Sequence, residues 1–132
     1  MRKTNIIGML ILFLLIITGC SLKNNNKLEY KYNGENDNWK IEYKTSKNKE
    51  QYERILKFTY KGDLADLKSS EVLKYSYKTD INHGSGEIEL GDDINTKSFQ
   101  HSISGEGSNI VKEDSVIVTI AVDQKIETID LK

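Results

Sequence analysis

Hydrophobic and polar side chains alternate with a period of two along most of this chain beyond residue 27. That is the signature of strands with one face on a core and the other on water. Leu28, Tyr30 and Tyr32 alternate with Glu29 and Lys31, and Trp39, Ile41, Tyr43 and Thr45 alternate with Lys40, Glu42, Lys44 and Ser46. The same rhythm puts Leu56, Phe58 and Tyr60 on one face of a strand, and Leu73, Tyr75 and Tyr77 on one face of another. Residues 86–90 offer a short strand with Ile88 and Leu90 inward, and residues 98–104 align Phe99, His101 and Ile103. Residues 116–122 are almost wholly apolar and β-branched, as expected of a central strand covered on both faces. Residues 126–131 return after a turn at Asp123-Gln124, and turn-forming residues fill 33–38, 83–86, 91–95 and 105–109. Tyr52, Ile55 and Leu56 have helical spacing, but alternation running on to Tyr60 favours a strand; residues 63–68 read as a loop or a single helical turn. About eight strands at such spacing predict an all-β chain folded as an antiparallel, immunoglobulin-like β-sandwich. A closed antiparallel barrel is the alternative, and the irregular loops favour the sandwich.

The start of the chain obeys a different pattern. Arg2 and Lys3 precede an apolar run from Ile6 to Ile17 and then Thr18-Gly19-Cys20, the layout of a secretory signal. The run is shorter than the roughly 20 residues a membrane-spanning helix requires. Ile17-Thr18-Gly19-Cys20 resembles a lipobox, the processing site of bacterial lipoproteins: a branched residue, two small ones, and a thiol for the thioether to lipid. The resemblance implies cleavage after residue 19 and a diacylglyceryl group on Cys20, whose two acyl chains exceed the single chain that anchors only marginally. An ordinary secretory peptide with a coincidental cysteine is disfavoured, because the chain has one cysteine and it stands where the motif demands it. Residues 1–19 are thus expected to be a signal peptide, 20–26 a lipidated cysteine and flexible tether carrying Asn24-Asn25-Asn26, and 27–132 one domain.

Composition changes the picture in two respects. A lone cysteine leaves no internal disulfide, so packing alone must hold the domain. Removal of residues 1–19 leaves 113 residues and moves the formal charge from −1 to −3, with no basic cluster, which argues against a nucleic-acid partner.

Asn33-Gly34-Glu35-Asn36-Asp37-Asn38-Trp39-Lys40, running into Ile41-Glu42-Tyr43, resembles a segment of small uncharacterised lipoproteins of low-GC Gram-positive bacteria. Gly84-Ser85-Gly86-Glu87 and the C-terminal hairpin around 125–131 are similar to the same pattern. The likeness covers most of residues 27–132 and contains no catalytic motif. It implies a β domain anchored by lipid on the extracellular face of the cell membrane. This chain departs from the pattern where Val122 and Gln124 stand in place of Trp and Gly, so a type I′ turn there lacks its usual glycine.

The candidate chemistry is thin. His83 and His101, with one of Asp80, Glu87, Asp92 or Asp93, supply metal-ligand types but none of the usual His or Cys spacings. The expectation is ordinary surface or half-buried histidines, with no metal and no cofactor. Ser85, Ser102 and Ser104 lie near the histidines without the strand-turn-helix context of a nucleophile elbow. Gly84-Ser85-Gly86 and Gly105-Glu106-Gly107 precede no helix and read as turns instead of phosphate loops. Glu35, Asp37, Asp92 and Asp93 read as solvated turn residues instead of a calcium site. Trp39 and the tyrosines fall between residues 30 and 77, mostly on core faces; any that project outward are expected to be Tyr30 and Tyr32 on an edge strand. No catalytic residue is assigned. The expected role is binding of a protein or cell-wall component through loops or a sheet edge, with Trp39, Tyr30 and Tyr32 as candidate contacts. A structural envelope lipoprotein without a ligand is the alternative, and a metal-dependent module on His83 and His101 ranks below both.

Overall fold

The computed structural model describes residues 27–107 and 109–132. The expected signal segment (residues 1–19), Cys20 and the expected tether lie outside the described residues. Eight strands and one short helix follow in order: β1 (Lys27–Glu35), β2 (Trp39–Asn48), β3 (Gln51–Tyr60), α1 (Leu64–Lys68), β4 (Val72–Thr79), β5 (His83–Glu89), β6 (Ser98–Glu106), β7 (Val116–Val122) and β8 (Lys125–Leu131). They form two four-stranded antiparallel sheets, ordered β1-β2-β3-β6 and β5-β4-β7-β8. The expected sandwich is therefore present. It differs from the immunoglobulin order, in which the first, second, fifth and fourth strands share a sheet.

Alternation sets which side chains meet between the sheets. Trp39, Ile41, Tyr43, Leu56, Phe58 and Phe99 of the first sheet face Leu73, Tyr77, Val118, Ile120, Ile129 and Leu131 of the second, and all are buried. Burying one such large side chain stabilises the fold by about 1.5–3 kcal/mol. Aromatic rings interlock across the interface, Phe58 with Tyr75 at 5.0 Å and Tyr43 with Tyr77 at 5.5 Å between centroids. These contacts orient the strands. Passing from Tyr75 to Tyr77 moves from the level of Phe58 to that of Tyr43, so the Thr79 end of β4 lies with the Lys27 end of β1. The opposite end, where β2 begins at Trp39, is closed by α1, whose Leu67 is buried.

One side of the sandwich is stitched and the other is open. Asn33 and Lys132 exchange backbone hydrogen bonds at 2.8 and 2.9 Å, joining edge strand β1 to edge strand β8. A Cβ at Gly34 would stand 2.7 Å from the Asp130 carbonyl oxygen and 2.6 Å from Leu131, so only glycine allows this approach. Strands β5 and β6 form the unstitched side, where Tyr75 Oη and His101 Nδ1 share a hydrogen bond of 2.7 Å.

Several expected turns prove to be strand. Gly84-Ser85-Gly86 lies within β5, because the rings of Tyr77 and Tyr75 on β4 lie across Gly84 and Gly86 and fill the space their side chains would take. The chain turns earlier, at Asp80–Asn82, where Thr79 Oγ1 accepts from the Asn82 amide at 2.9 Å. Asn33-Gly34-Glu35 belongs to β1, and Gly105-Glu106 belongs to β6, with only Gly107 turning out at φ 77°. Strand β7 is central but not covered on both faces, since Ile117 is exposed between buried Val116 and Val118. The last hairpin is tight without glycine: Asp123 adopts φ 52°, and its Oδ1 accepts from the amides of Glu71 and Val72 at 2.9 and 3.1 Å. Aspartate tolerates that backbone better than most residues.

Candidate functional site

The three aromatic residues expected to contact a partner are not on the surface as a group. Trp39 is 1% exposed. Its indole N–H donates to Glu127 Oε2 at 3.2 Å, while Asn36 Nδ2 and Asn38 Nδ2 donate to Glu127 Oε1 at 3.2 and 2.6 Å. Asn36 Oδ1 in turn accepts from the amides of Asn38 and Trp39 at 2.9 and 2.8 Å, an Asx turn that shapes the β1–β2 hairpin. The Asn-Trp segment thus clasps one carboxylate of β8 and is consumed by packing. Tyr32 is buried too, on the core face that the alternation gives it, and its hydroxyl accepts from the Glu113 amide at 2.7 Å. Burial raises the Tyr32 pKa more than this bond lowers it. Tyr30 is half-buried and packs against the core. Strand β1 is an edge strand as expected, and Tyr30 and Tyr32 both turn to its core side.

His83 and His101 sit on edge strands of different sheets. His101 is half-buried, its Nδ1 bonded to Tyr75 and its ring 6.0 Å from that of Tyr77, while His83 is exposed. Among the described residues, no group of three or more His, Cys, Asp or Glu is placed to hold a metal ion.

The feature that geometry brings together is a row of hydroxyls that sequence reasoning missed. On the outer face of the second sheet, Ser85 pairs with Ser76, Ser76 with Thr119, and Thr119 with Thr128, one hydroxyl from each of β5, β4, β7 and β8. At about 4.8 Å between strands, such a row runs about 14 Å across the sheet. Thr119 and Thr128 hydroxyls are 3.4 Å apart, and each group can donate as well as accept. The row above holds His83, Lys78, Ile117 and Asp130; the row below holds Glu87, Lys74, Ala121 and Ile126. Two shallow hollows of about 410 and 750 Å³ lie over this face, sharing Ser76, Ser85 and Thr119 in their walls.

The outer face of the first sheet is built differently. Lys31, Lys44 and Ile55 form one row and Asn33, Glu42, Lys57 and Gln100 the next, and Glu29 pairs with Lys27 and Lys31 at 3.2 and 3.3 Å. Long, mutually compensated charges of this kind make a solvated surface. The outer face of the second sheet carries short side chains at its centre, leaving the row open to an extended polar molecule.

No family model, curated protein or solved structure matches this chain. No helix among the described residues is long and apolar enough to cross a membrane.

Proposed function

We propose that the chain is an exported lipoprotein, held at the extracellular face of the cell membrane by lipid on Cys20, whose sandwich acts by binding and not by catalysis. Its partner is a polyhydroxylated cell-wall polymer lying along the hydroxyl row. The observation that carries this reading is the alignment of Ser85, Ser76, Thr119 and Thr128 across all four strands of one exposed sheet face. Such a row offers alternating donors and acceptors to an extended glycan, and the open β5 edge lets the polymer continue past the sheet. The lipobox-like Ile17-Thr18-Gly19-Cys20 supports the address.

Two measurements test it. Cys20→Ala is expected to shift the protein from the membrane fraction to the medium; retention in the membrane would remove the lipid anchor. Residues 21–132 are expected to co-sediment with purified cell wall, with binding lost in Ser76→Arg, which fills the row. Equal sedimentation of the two proteins, or none by either, would sink the binding surface. A structural envelope lipoprotein is the second reading, favoured by the complete internal use of the Asn36-Asn38-Trp39 segment. A thermal shift on adding cell-wall fragments would count against it.

A further inference from the structure

The end of the sandwich that bears Lys27 has a surface of its own. Among the described residues, four of the five exposed large hydrophobics lie at or beside it: Leu28 at 45%, Ile81 at 56%, Val111 at 42% and Ile117 at 36% exposure. Leu28 stands at the start of β1, Ile81 in the β4–β5 turn, Val111 in the 109–115 loop and Ile117 at the start of β7. Core packing does not explain them. In the same loop Ile110 turns inward to 6% exposure and helps close the core, while its neighbour Val111 turns out.

The Ile81 and Val111 tips are held as a pair. The Asp80 amide donates to Glu113 Oε2 at 3.1 Å, and the Asp114 amide donates to Asp80 Oδ2 at 2.7 Å, which ties the Ile81 turn to the Val111 loop. Thr79 Oγ1 stiffens the turn from within, and the Tyr32 hydroxyl anchors the loop through the Glu113 amide. Exposed charges of both signs lie on the strand ends and loops of this same end, Lys27, Lys49 and Lys112 with Glu50, Asp80 and Asp114. Lysines of this kind can lay their methylene stems on an apolar surface and keep the ammonium in water.

We infer that this end is a membrane seat, with Ile81 and Val111 entering the interfacial layer of the same bilayer that holds the lipid. The inference rests on the proposed anchoring at Cys20. From Cys20 to Lys27 the chain reaches at most about 25 Å even when fully extended, so Lys27 stays within that distance of the anchor. The balanced charge means that apolar contact supplies the attachment, and anionic lipid is not required. Seating the Lys27 end fixes how the domain stands and turns the Trp39 end outward, with the hydroxyl row running across its side.

The test uses the full lipidated chain in phosphatidylcholine vesicles, with an environment-sensitive fluorophore attached to a cysteine placed at Ile81, Val111 or, as the distal control, Gln124. Flotation comes first: a chain that does not float with vesicles overturns the anchoring and the seat together. In a chain that floats, probes at 81 and 111 are expected to be blue-shifted and quenched several-fold more by lipid-borne quencher than the probe at 124. The probe at 111 is expected to return to the aqueous signal in Ile81→Asp, which leaves flotation unchanged. Equal quenching at 81, 111 and 124 in a floating chain overturns the seat and leaves the anchor standing. The signal is also expected to survive raised salt; its loss with salt overturns the apolar basis of the seat.

Discussion

The two ends of the sandwich solve the problem of closing a core in opposite ways. At the Trp39 end each polar group of the clasp has a partner: Glu127 receives Asn36, Asn38 and Trp39, and the Tyr60 hydroxyl donates to Asp66 at 2.9 Å. At the Lys27 end the longer strands of the first sheet overhang, and the buried groups include Tyr43 Oη and Thr45 Oγ1 with no hydrogen-bond partner. Arg54, 8% exposed, lies opposite Thr45 on β3 with its guanidinium 4.6 Å from the Tyr52 ring. One end is a finished plug built from a sequence segment with many amides. The other carries internal polar cost and exposed aliphatic tips, features that packing alone would not select. The first end is closed by its own side chains, and the second is where an outside surface has something to complete.

The sharpest way to break this contrast is Trp39→Ala. Removing a fully buried indole and orphaning one oxygen of Glu127 is expected to cost about 3–5 kcal/mol, read by urea unfolding. A loss below about 1 kcal/mol would mean that the plug is not what closes this end. For the same reason Trp39 substitutions are unsuitable as probes of binding. Glu127→Ala comes next, at about 2–3 kcal/mol, because three donors lose a shared ionised acceptor. Glu127→Gln is expected to recover part of that loss, since one amide oxygen still accepts. Asp123→Ala is expected to cost about 1–2 kcal/mol, through the amides of Glu71 and Val72 and the φ 52° backbone that alanine resists.

The smallest effect belongs to the Lys27 end. Tyr43→Phe removes an unpartnered buried hydroxyl and is expected to leave stability within about 1 kcal/mol of the parent, or to raise it. Its clearer signature lies in alkali. Burial pushes the Tyr43 hydroxyl well above its ordinary range, and burial likewise raises Tyr75 and Tyr77. With the folded pKa above the unfolded value, stability from these groups is complete below pH about 10 and falls as pH rises beyond it, because the unfolded chain releases the protons first. Thermal melts between pH 9 and pH 12, about the range that brackets tyrosine ionisation, should show a shallower decline for Tyr43→Phe than for the parent. Identical slopes would place Tyr43 in contact with water.

Much of this architecture was legible in the sequence because a strand writes its burial at every second residue. Trp39, Ile41, Tyr43, Phe58, Leu73 and Tyr77 declare their faces without help from any neighbour, and the sandwich follows from having two sets of such faces to bury. The errors fall where a residue's role depends on a strand far away. Gly84 and Gly86 look like a turn until Tyr75 and Tyr77 are laid across them, and Gly34 looks like a turn until β8 arrives beside it. Alternation turns Tyr32 inward, but the partner of its hydroxyl, the Glu113 amide, comes from a distant loop. The candidate site was the least legible part. Ser76, Ser85, Thr119 and Thr128 are unremarkable polar positions one at a time, and only the register of four strands makes them a row. Local chemistry thus decided the strands, the faces and the expected address. Long-range pairing, which no local pattern encodes, decided which hydroxyls align, which carboxylate the Asn-Trp segment clasps, and which end of the domain shows its aliphatic tips.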